Sequence, residues 1–107
     1  MAKKVRRDTK LKQQAQKFLA KVPEEYVFWC CDGRILRDMQ ELADSLSNMS
    51  DETFAYHCNS ERKDFSNWVR DIIGDQKLAQ DLEQALSQVQ AAECVAARLA
   101  LLRGKLA

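Results

Sequence analysis

Apolar residues are spaced in more than one way along this chain of 107 residues, and each spacing predicts a different element. From about Asp8, the residues Leu11, Ala15, Phe18, Leu19 and Val22 share one face of an amphipathic helix. Pro23, the chain's only proline, is expected to end that helix, because its ring donates no hydrogen bond and disfavours the α region at residue 22. Residues 1–7 carry charge without apolar periodicity and read as disordered. Tyr26 to Cys31 is an unbroken β-prone run bounded by Asp32-Gly33, and reads as a buried strand or an extended packing segment. No clean strand follows the Asp-Gly, so a hairpin is not expected. Instead Ile35, Leu36, Met39, Leu42, Ala43, Leu46 and Met49 trace a helical stripe from about Arg34 to Asn48. Arg37, Asp38, Glu41 and Asp44 charge its outer face.

Capping signals divide the next segment. Ser50 reads as an N-cap, with Asp51 and Glu52 complementing the dipole of a short helix that carries Phe54 and stops near His57. Asn59 to Lys63 is a polar loop. Asp64 is expected to cap a helix from Phe65 to Ile73 whose apolar face is Phe65, Trp68, Val69 and Ile72. Gly74 supplies the C-terminal stop, and Asp75 caps the following helix. From Gln76 to about Arg103 there is neither Gly nor Pro. Leu78, Leu82, Ala85, Val89, Ala92, Ala96 and Leu99 alternate at four and three, a heptad-like seam. One helix of that length, roughly 40 Å, would outrun a small domain and should project or pair with a second subunit.

Charge adds an asymmetry that the net value of +1 conceals. Residues 1–21 hold eight Lys or Arg against the single Asp8, and the remainder holds nine against fifteen acids. A basic segment of this kind suits an acidic partner, nucleic acid among them, through Lys3, Lys4, Arg6, Arg7, Lys10 and Lys12. Pairing with the chain's own acidic body or a neighbouring subunit is the alternative. No apolar run approaches a membrane span, and the basic start lacks the apolar stretch of a secretory signal, so a cytoplasmic protein with no membrane partner is expected. Four cysteines fit that compartment as free thiols, and adjacent Cys30 and Cys31 would make a strained bridge.

Candidate chemistry concentrates between Tyr56 and Asp75, around the only histidine. Cys30, Cys31, His57 and Cys58 are zinc-ligating types, but both pairs are adjacent where tetrahedral sites use pairs two to four residues apart. No metal or other cofactor is therefore expected. Nucleophilic catalysis would need Cys or Ser beside His57 with an orienting carboxylate such as Asp32 or Asp64, and no motif ties these together. The reading favours a non-enzyme, with His57 near a helix end or bonded to loop backbone. The central aromatics Tyr26, Phe28, Trp29, Phe54, Tyr56, Phe65 and Trp68 read as core rather than as a base-stacking platform.

The pieces Phe28-Trp29, Asp32-Gly33, Met49-Ser50, Glu52, Phe54, His57, Asn59, Asp64-Phe65, Trp68-Val69, Asp71 and Gly74-Asp75 form a recognisable series. On them the run from Tyr26 to about Leu82 resembles a small family of prokaryotic, notably archaeal, helical domains of unknown function. Glu52 stands one place from the family's position, and Cys58 replaces an aliphatic residue. The two flanking helices lie outside the resemblance. It implies a domain boundary and a helical fold, and no activity.

The reading is an all-α chain of about five helices in a compact bundle, with one short extended segment and a long C-terminal helix. Residues 1–23 form the basic segment and its helix, 24–75 a central domain, and 76–107 a helix that packs on the domain or on a second subunit. His57, Asn59, Asp64, Asn67 and Asp71 form the expected contact surface. The expected role is an interaction or oligomerisation module, a homo-oligomer through the C-terminal helix with a further protein partner. Phosphate-backbone binding by the basic segment, or a small-ligand or metal site at His57, are the alternatives.

Overall fold

The chain begins in a helix, α1 (Ala2–Leu19), which takes in most of the stretch expected to be unstructured. In this computed structural model residues 2–106 are described, and side chains from Thr9 to Leu106; the side chains of Lys3, Lys4, Arg6 and Arg7 lie outside them. Ala15 and Phe18 are buried, and the helix ends four residues before Pro23. Val22 then donates its N–H to the Arg37 carbonyl (2.8 Å), which ties the connection to the far side of a hairpin.

That hairpin corrects the sequence reading. Strand β1 (Phe28–Trp29) pairs antiparallel with β2 (Ile35–Leu36), in the register Phe28 opposite Leu36 and Trp29 opposite Ile35. Gly33 makes the turn at φ 95°, a conformation open to glycine. Asp32 Oδ1 accepts the Arg34 N–H, and Cys30 N–H bonds the Arg34 carbonyl. Ile35 and Leu36 thus belong to a strand, not to the helical stripe. Asp38, expected on a helix face, is the N-cap: its Oδ1 accepts the Glu41 N–H at 2.8 Å, while Glu41 Oε1 accepts from Arg37 N–H. Helix α2 (Met39–Asn48) therefore starts five residues later than its hydrophobic pattern suggests.

Helix α3 (Asp51–His57) is capped by Ser50 as expected, through Thr53 N–H. Helix α4 (Asp64–Trp68) runs into a wider π turn at Val69–Ile73, and Gly74 closes it at φ 91° with its N–H on the Val69 carbonyl. Lys63 holds the position ahead of α4 without a side-chain bond, so Asp64 is not the cap. Asp75 does cap α5 (Gln76–Gln84), through Leu78 N–H.

The long helix expected from Gln76 is two helices. It breaks after Ala85, which is extended, and resumes as α6 (Gln88–Leu106). Ser87 Oγ accepts the Gln90 N–H, and Gln90 Oε1 accepts the Leu86 N–H, so two side chains cap the start of α6 without Gly or Pro. The Gln88 side-chain amide donates to the Leu46 and Met49 carbonyls and pins the break against the end of α2. So α6 turns back over the domain and packs chiefly on α2 and α1. Ala91, Val95, Leu99 and Leu102 face inward beside Met39, Leu42 and Leu46. The heptad seam does not survive: Leu78, Leu82 and Leu99 are buried within one chain, while Val89 and Ala96 are exposed. Arg98 reaches Asp75 with two bonds, Nε to Oδ2 at 2.7 Å and Nη2 to Oδ1 at 3.0 Å, and locks α6 to the start of α5. The molecule is all-α apart from the hairpin, with six α-helices among the described residues. None of these is long and apolar enough to cross a membrane.

Candidate functional site

His57 closes α3 with its ring 3% exposed, enclosed by Phe28, Phe65 and Tyr56 at centroid distances of 5.1, 5.2 and 4.9 Å. Its Nε2 lies 3.0 Å from the Cys31 backbone nitrogen, which has only a proton to offer. Nε2 is therefore the acceptor, and the neutral ring carries its hydrogen on Nδ1, facing Asp64 Oδ2 at 2.9 Å. Arg62 Nη2 meets the same carboxylate oxygen at 2.7 Å, and its guanidinium sits over the Tyr56 ring, 4.6 Å from the centroid. Asn59 folds the loop between them: its Oδ1 accepts the Glu61 and Arg62 N–H groups, and its Nδ2 donates to the Ala55 carbonyl.

An Asp bonded to Nδ1 with the opposite nitrogen free would orient a general base. Here the Nε2 lone pair is committed to a backbone donor 26 residues away, so no nucleophile can be deprotonated by it. The corner acts as a buried staple. His57 fastens the Cys31 end of the hairpin, and Trp68 Nε1 fastens its start through the Tyr26 carbonyl at 2.8 Å. The adjacent thiols are not activated either: burial pushes Cys30 and Cys58 above the ordinary thiol range. All four cysteines are free, and no group of three or more His, Cys, Asp or Glu is placed to hold a metal ion among the described residues.

The expected contact surface divides in two. His57, Asn59 and Asp64 belong to the staple. Asn67 and Asp71 lie on the solvent side of the α4 segment and gather around Arg70, whose Nη2 meets Asn67 Oδ1, Nε meets Asp71 Oδ1 and Nη1 meets Glu83 Oε1. The aromatic reading divides as well. Phe28, Phe54, Phe65 and Trp68 pack together, but Tyr26 and Tyr56 are half exposed and Trp29 is 71% exposed.

Two surfaces stand out for having no partner among the described residues. Lys10, Lys12, Lys17 and Lys21 are exposed, and no described acid forms an ion pair with any of them. Opposite its buried face, α6 presents Val89, Ala96, Ala97, Ala100, Leu101 and Gly104 to solvent, and Glu93 is the one exposed charge from Val89 to Leu101. The sequence reading missed this face because it assigned Val89 and Ala96 to the same stripe as Leu99. The excess of small and apolar residues all around 88–106 was the available signal. Comparison of the chain with protein-family models, with curated proteins and with solved structures gives no match to any of them.

Proposed function

We propose that this protein is a small interaction module, without catalytic machinery of its own, that binds a macromolecular partner through the outer face of α6. The observation behind this reading is that α6 is apolar on two sides while the fold covers one. Ordinary surface helices place charge where Ala96, Ala97, Ala100 and Leu101 stand, and a contiguous uncharged face marks a contact surface. A photoreactive phenylalanine derivative at Ala97, introduced in cells that make the protein, tests this. A discrete crosslinked species is the expected result, and its absence under efficient activation overturns the reading.

A second reading has its own support. The exposed lysines from Lys10 to Lys21 have no ion-pair partner among the described residues, which favours a polyanion, with Lys3, Lys4, Arg6, Arg7, Lys10 and Lys12 meeting the phosphate backbone. Binding to labelled duplex and single-stranded nucleic acid should then fall steeply with salt, and weaken in Lys10→Gln/Lys12→Gln. These substitutions suit the test better than truncation, since Ala15 and Phe18 of α1 are core.

A further inference from the structure

The row Glu93, Ala97, Leu101 and Lys105 runs along α6 at intervals of four, so its members form one ridge spanning roughly 18 Å. All four are exposed. The ridge is acidic at one end, basic at the other and apolar between, and neither Glu93 nor Lys105 has an ion-pair partner among the described residues. Beside it lies a groove of about 430 Å³ between α5 and α6, lined by Lys77, Asp81, Glu93, Cys94, Ala97 and Leu101 among others.

Such a ridge is complementary to its own reverse. From this, and resting on the interaction reading above, the geometry points to a second copy of this chain as the occupant, docked antiparallel along the outer face of α6 about a two-fold axis that crosses the ridge midway between Ala97 and Leu101. Residues whose numbers are symmetric about that axis then meet: Glu93 faces Lys105 of the other copy, and Ala97 faces Leu101. Leu101, 52% exposed in the single chain, enters the space left by the small side chains Ala97 and Ala100. Because the two-fold repeats each contact, every charge pair occurs twice and the assembly closes as a dimer. A helix lined by small residues lets the two backbones approach closely, while the opposed helix dipoles run antiparallel.

Sedimentation velocity of the full chain from micromolar to submillimolar concentration, with charge-swapped variants, tests this. A reversible dimer is expected. Leu101→Glu should give a monomer with unchanged far-ultraviolet circular dichroism, which excludes misfolding because Leu101 takes no part in the core. Glu93→Lys and Lys105→Glu should each weaken the dimer about tenfold, and the double exchange should restore it, since both exposed pairs are lost and regained together. A concentration-independent monomer overturns the inference, as does a dimer indifferent to Leu101→Glu or one that the double exchange fails to rescue. If the purified chain is a monomer while the photoreactive Ala97 variant still crosslinks to a different protein, the second copy is excluded and the interaction reading stands. A monomer with no crosslink removes both.

Discussion

The loop between α3 and α4 and the outer face of α6 assign their polar and apolar groups in opposite ways. Around His57, a ring, a carboxylate, a guanidinium and an amide are each used by a neighbour within the chain. Along α6, alanine, leucine and valine side chains face water with nothing over them. Residue types that perform chemistry elsewhere are here absorbed in holding a hairpin to two helices. Residues with no chemistry leave the surface that has something still to bury. A buried polar group is costly unless satisfied, so a satisfied network accounts for its own presence; an exposed apolar face does not.

The sharpest way to break this contrast uses adjacent leucines. Leu102 is 2% exposed and packs in the core, so Leu102→Ala should lower stability by about 2–5 kcal/mol in urea unfolding. Leu101→Ala should change the unfolding of the isolated chain by about 0.5 kcal/mol or less. Comparable losses for both would mean that the two faces of α6 are not different. The His57 corner comes next. His57→Ala leaves the Cys31 N–H without its acceptor and Asp64 with Arg62 alone, empties a buried aromatic site, and should cost about 2–4 kcal/mol, seen as a lower Tm. A variant of normal stability that had lost partner binding would make the corner functional after all.

Smaller effects refine the picture. Ser87→Ala removes the acceptor of the Gln90 N–H and should cost about 1 kcal/mol, without merging α5 and α6, since Gln88 still holds the break. Burial raises the Cys30, Cys58 and Cys94 thiols; the Asp32, Asp64, Asp81 and Glu93 carboxylates add to it, against the Asp32 backbone N–H at Cys30, Lys63 at Cys58 and Lys77 at Cys94. A thiol raised in the folded state keeps its proton when the unfolded chain has lost its own. The stabilisation is therefore present below the ordinary thiol range and lost as pH rises from there through the raised values of the folded state. Alkylation of the folded protein should reach exposed Cys31 first and the other three only at higher pH than in the unfolded chain. Uniform labelling of all four would show that the fold does not shield them.

Local signals were legible in the sequence and distant ones were not. Ser50, Gly74 and Asp75 act within five residues of their partners, and each does what its type and position predict. Ile35 and Leu36 fit a helical period equally well; what decides against it is Asp38 capping through Glu41, visible as Asp-x-x-Glu but outweighed by the apolar stripe. The break at Ala85 was hidden for a related reason. The caps at Ser87 and Gln90 open a new helix at Gln88, and a search for Gly and Pro passes over them. At the corner, His57, Asn59 and Asp64 are near in sequence and come together in the fold, whereas Asn67 and Asp71 turn away toward Arg70. The contact that decides the role of His57 comes from Cys31, across a separation no local pattern records.

The two tryptophans give the molecule a built-in optical contrast. Trp68 is buried and bonded through its indole to the Tyr26 carbonyl, while Trp29 stands on the other face of the same hairpin segment, in solvent. Native emission is then a sum of a blue component and a red one. Acrylamide should quench the red part first, and only the blue part should shift when the chain unfolds. Loosening of the hairpin can therefore be followed in Trp68 against an internal reference that barely changes.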